Sequence, residues 1–92
     1  LSRSSFSPLV GKSFQVRGAK GPAALTLSAI TDLPNATSAD MRRFSLQFRQ
    51  TAGPPLDQGT WPVRQASLGA FRLFVVPIGN VPGRFEAVFN SV

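Results

Sequence analysis

Ten cationic side chains and four carboxylates are the only charged groups this chain has for chemistry, and neither histidine nor cysteine accompanies them. The Ser-His-Asp and Cys-His arrangements of nucleophilic catalysis therefore cannot be assembled within it. Thiolate metal sites are excluded on the same ground, as are almost all ordinary zinc, copper and haem sites. A Ser-Lys pair would have to use Lys12 or Lys20, and no neighbouring residue marks either lysine as an activated base. Paired-carboxylate hydrolysis needs two acids facing across a cleft. Asp32, Asp40 and Asp57 instead sit in turn-like segments, where capping accounts for them. Glu86 lies in a strand-like run among basic residues, and an ion pair is expected for it. Neither GxxxxGK[ST] nor GxGxxG occurs, so no phosphate-cradling glycine loop is expected. Asn35-Ala36-Thr37 fits the N-glycosylation pattern, which matters only in a glycosylating secretory pathway. The expectation is a non-enzyme with no catalytic residue, no metal ligand, no cofactor and no small-molecule substrate.

What remains is binding. Eight of the ten basic residues are arginine, and the net charge is +6. Arginine suits bidentate contact with carboxylate or phosphate, and an excess of this size attracts acidic partners over distance. Solubility alone is the plainer explanation of the charge. Two outward-facing residue sets stand out against the β-type alternation described next. Arg49, Arg64 and Arg72 point away from the core on three strands, and would form an anion-binding stripe if those strands were neighbours. Phe74, Val76 and Val88 form an apolar outer set, a candidate interaction patch.

The elements that must position these residues read as β throughout. Phe44–Arg49 alternates strictly, with Phe44, Leu46 and Phe48 on one face, as expected of a half-buried strand. Ser13–Arg17 turns Phe14 and Val16 inward; Leu25–Ile30 turns Leu25 and Leu27 inward and Thr26 and Ser28 outward. In Thr60–Gln65, Trp61 and Val63 share a face, and Pro62, which lacks an N–H, places the strand at an edge or a bulge. Phe71–Val76 and Arg84–Asn90 form a hairpin through the turn-rich Pro77–Gly83. The first of these is apolar on both faces, which predicts that it is covered on both. The N-terminal segment Leu1–Lys12, with Phe6, Leu9 and Val10 as plugs, is the favoured cover, and a second chain is the alternative. Thr31–Arg43 reads as a long polar loop or one holding a single short helical turn. With sixteen Gly and Pro residues punctuating 92 positions, the expected fold is one all-β domain: a six-stranded, mostly antiparallel small barrel or sandwich. No apolar run approaches the ~20 residues of a membrane-spanning helix. Leu1–Ser7 lacks the apolar core of a signal peptide. No membrane insertion is expected.

Five segments in order, FSPLVGKSF (6–14), FSLQF (44–48), QGTW (58–61), LGAFRLFVVPIG (68–79) and FEAVFN (85–90), resemble an uncharacterised small bacterial family, a domain of unknown function. Trp61 stands where the family pattern suggests tyrosine. The resemblance implies a structural or assembly role near phage-tail-collar-like proteins and a location in the bacterial cytoplasm or a phage-derived particle, and it carries over no functional residue. The leading expectation is a structural or protein-interaction module of a bacterial or phage-tail-like assembly, with a protein partner or a homo-oligomer. The alternative is a basic nucleic-acid or polyanion-binding β-domain.

Overall fold

The computed structural model describes residues 1–33 and 43–90. After a single helical turn α1 (Arg3–Phe6) and a 3-10 turn (Ser7–Leu9), six strands follow: β1 (Ser13–Gly18), β2 (Gly21–Asp32), β3 (Arg43–Ala52), β4 (Gly59–Gln65), β5 (Gly69–Pro77) and β6 (Arg84–Asn90). They close into a barrel in the order β1-β2-β3-β6-β5-β4, every neighbour antiparallel. The chain thus forms two three-stranded meanders, joined along one seam by β3 and β6 and along the other by β1 and β4. A barrel of so few strands has room inside only for side chains. Phe14, Val16, Leu25, Leu27, Phe44, Leu46, Phe48, Val63, Leu73, Val75, Phe85 and Ala87 fill it.

Each end is closed by a plug. At the end where β1 starts, α1 inserts Phe6, which is fully buried. Its ring lies 5.3 Å from that of Phe89, 6.1 Å from Phe44 and 6.3 Å from both Phe14 and Phe71. Phe44 and Phe89 stack beneath it at 4.8 Å. The turn is fixed by the Ser2 N–H donating to Ser5 Oγ and by Arg3 Nε donating to Asp32 Oδ1 at 2.7 Å. The Gly11 N–H donates to the Leu27 carbonyl, fastening the plug's tail to β2. At the other end Leu56, carried on the β3–β4 connection, closes the barrel against Gly18, where a Cβ would stand only 2.6 Å from Leu56 Cδ2.

Gln50 holds that connection in shape. Its Nε2 donates to the carbonyls of Ala52, Gly53 and Pro54, and its own N–H donates to Gly83 O at 2.7 Å. Replacing Gln50 with alanine leaves the part-buried Pro54 carbonyl and Leu56 N–H unmatched, so we expect a loss of about 1–3 kcal/mol in urea unfolding.

The structure corrects several expectations. Phe6 and Leu9 fill the end of the barrel and do not cover the outer face of β5, and Val10 is itself exposed. Four phenylalanine rings surround Phe6 at the barrel end, more apolar contact than the strand's exterior offers. Strand β4 is not an edge, because β1 pairs with it; that registered pairing consists of Gln15↔Arg64 and Val16↔Val63, and so ends one residue short of Pro62. The polar stretch begins later and ends sooner than expected, since Thr31, Asp32 and Arg43 lie in strands paired through Thr31↔Ser45, Asp32↔Phe44 and Arg43↔Asn90. Its remainder, with Asn35-Ala36-Thr37 and Asp40, lies outside the described residues. In β2 the register shifts between Leu27 and Ala29. Ser28 is the extra residue, its Oγ donating to Gln47 O at 2.9 Å, and the shift puts Ile30 opposite the inward Leu46.

Candidate functional site

Of the eight phenylalanines, five are buried and Phe71 and Phe89 pack against the core, while Phe74 remains 52% exposed. It points outward from the middle of β5. Val76 follows on the same face two residues on, half-buried, and Val88, 53% exposed, stands on the adjacent β6. The three residues of the expected patch are therefore brought together, and no other segment among the described residues buries Phe74 or Val88. Ile78 and Val81 in the β5–β6 loop are also exposed and carry the apolar strip towards the Leu56 end.

The backbone beneath this strip is sparsely paired. Strands β5 and β6 share two registered pairs, Val76↔Glu86 and Pro77↔Phe85, extended by the Ile78 N–H donating to Arg84 O. Carrying the register on sets Phe74 opposite Val88, where no further pair is registered. On the far side of β6 the outer surface changes character. Gln47 accepts from Thr31 Oγ1 and donates to Ser45 Oγ and to Glu86 Oε2. Glu86 is thus held by an amide at 3.3 Å and not, among the described residues, by the ion pair its basic neighbours suggested.

The three arginines of the expected stripe are not brought together. Arg64 and Arg72 lie on adjacent strands, β4 and β5, with Arg72 opposite Pro62 and Arg64 opposite Ala70. Arg49 is on β3, which stands across the barrel from β4, and its neighbours are Thr26 and Arg84. In its place β1 contributes Arg17. Gln15, Arg17, Pro22, Pro62, Arg64 and Ala70 line an open groove of about 450 Å³ along the β1–β4 seam. The outward parity of Arg17, next to the inward Val16, was legible. That β1 meets β4 was not, because barrel closure has no local signature. Ile78 and Val81 were overlooked for a similar reason: loop residues have no parity to assign them to a face.

The remaining charged candidates lie apart. Asp32 pairs with Arg3, Asp57 belongs to the β3–β4 connection, Lys20 occupies the β1–β2 turn and Lys12 precedes β1. Among the described residues no three His, Cys, Asp or Glu side chains gather as metal ligands would. No helix there is long and apolar enough to cross a membrane.

By fold, then, the protein is a small antiparallel β-barrel, closed on itself and plugged at both ends. It belongs to the family described as a domain of unknown function (DUF6916), which matches residues 1–89. No curated protein and no solved structure matches the chain.

Proposed function

We propose that this domain is a non-enzymatic protein-interaction module whose docking face is the apolar strip Phe74, Val76 and Val88, continued by Ile78 and Val81. The observation that carries this is the exposure of Phe74, about half of a large aromatic side chain left in water by a fold that packs every other phenylalanine inside or against its core. Contiguous apolar surface rimmed by polar residues marks interaction sites, and buried aromatic anchors dominate their energetics. The occupant is a partner protein with an apolar centre and an acidic rim. Arg72 and Arg84 flank the strip on the same two strands, and a net charge of +6 opposes the approach of a second identical copy. In a bacterial or phage-tail-like assembly, as the family resemblance implies, such a module would join larger components.

Selection of random peptides on the purified domain tests this. Enriched sequences should carry aromatic or aliphatic residues beside Asp or Glu, and the F74S/V88S variant should bind them at least tenfold more weakly, the loss of a hot-spot anchor. Equal binding by that variant would remove the strip from the interface. Sedimentation showing self-association that F74S/V88S abolishes would replace the acidic partner with a second copy.

A further inference from the structure

We infer that the groove on the β1–β4 seam is an anion site that takes the phosphodiester backbone of a nucleic acid, with Arg17, Arg64 and Arg72 as its phosphate contacts. Three observations carry this. First, the outward positions of three consecutive strands form a lattice. Gln15, Arg64 and Ala70 make one registered row, and Arg72 is registered opposite Pro62. Carrying the β1–β4 register one residue past Val16↔Val63 sets Arg17 on the other side of Pro62, so Arg17 and Arg64 line the groove and Arg72 stands at its border. Strand spacing and rise per residue put their Cα atoms roughly 8–10 Å apart, within reach of successive phosphates for side chains as long as arginine. Second, these guanidinium groups are uncompensated. Among the described residues none of the three has a hydrogen-bond or ion-pair partner, and no acid lines the groove. Third, Pro22, Pro62 and Ala70 give the groove apolar lining beside the arginines. A chain alternating phosphates with sugars and bases offers both complements. A polyglutamate chain offers charge but little to lie against the prolines.

The groove holds no aromatic side chain. Base stacking, the usual source of tight single-strand binding, is absent from it. Binding should therefore ignore sequence and depend strongly on salt. Three phosphate contacts predict a slope of log affinity against log salt of about −2 on single strands and about −2.7 on duplex.

The test is fluorescence anisotropy of the full chain with 20-nucleotide single-stranded and duplex DNA at several salt concentrations. R17A, R64A and R72A should each reduce the slope by about 1, and the triple variant should lose binding at low salt. The pair R49A/R84A removes two charges from the opposite flank and should leave the affinity nearly unchanged. All five positions are exposed, and far-ultraviolet circular dichroism confirms that each variant is folded. Three results would overturn the site: no binding at 20 mM salt, equal weakening by R49A/R84A (bulk charge only), or equally tight binding of polyglutamate, which would make the groove a carboxylate-peptide site. Arg72 and Arg84 also flank the apolar strip, but DNA anisotropy does not read peptide docking, which F74S/V88S probes separately.

Discussion

Replacing Phe6 with alanine should lower the thermal midpoint by about 15–30 °C. The ring has no exposed surface and meets four other phenylalanines at the mouth of the barrel. Truncating a buried phenylalanine costs about 3–5 kcal/mol, the lost transfer free energy plus the cavity left behind. In a domain of this size each kcal/mol moves the midpoint by roughly 4–8 °C. The void cannot be refilled cheaply, because Phe44 and Phe89 are already stacked on each other with an interplanar angle of 5°. The comparison is F74A, which removes a ring of the same size from a half-exposed site and should cost well under half as much. Calorimetry on the two variants measures the contrast, and equal losses would mean that α1 is not the plug it forms here.

The second large effect is expected at Gly53, just after β3. Its φ is +89°, and a Cβ there would strike backbone, with Ala23 Cα at 2.6 Å and the Pro22 carbonyl oxygen closer still. Backbone cannot turn aside as the end of a flexible side chain can. The left-handed conformation costs a non-glycine residue about 1–2 kcal/mol and the overpacking about 1–3 more, so G53A should lose roughly 2–5 kcal/mol in urea unfolding. Gly69 separates the two contributions. It has a similar φ of +76° with nothing within 4 Å of its Cβ position, and G69A should show only the conformational part. If both substitutions cost the same, the close approach of Gly53 to β2 is not what constrains it.

Much of the barrel was legible because period-two alternation survives in most strands. Phe44, Leu46 and Phe48 in β3, and Phe85 and Ala87 in β6, fall inside as their spacing requires. The reading failed where a tertiary choice overrode a local pattern. In β2 the expected faces of Leu25, Leu27 and Ser28 hold, but the bulge at Ser28 shifts the register beyond them, which no residue type announces. The N-terminal phenylalanine had two apolar destinations, and alternation could not say that the open barrel end outcompetes the face of β5. The apolar strip was visible as residues but not as exposed surface. The arginine groove was half visible, because parity turns Arg17, Arg64 and Arg72 outward while only closure of β1 on β4 decides which arginines become neighbours.

The pairing of β3 with β6 also bears on how the protein is made. β3 finds one edge on β2, but its other edge awaits β6, roughly 40 residues later on the ribosome, or ~2–8 s at ordinary rates of synthesis. Through that interval Phe44–Phe48, an alternating β-rich segment, presents an open edge of the kind that recruits other chains. Arg43 and Arg49 bracket it on either side. Flanking charges of this sort deter edge-to-edge aggregation, which gives Arg49 an occupation away from the groove: guarding a strand whose partner has not yet been synthesised.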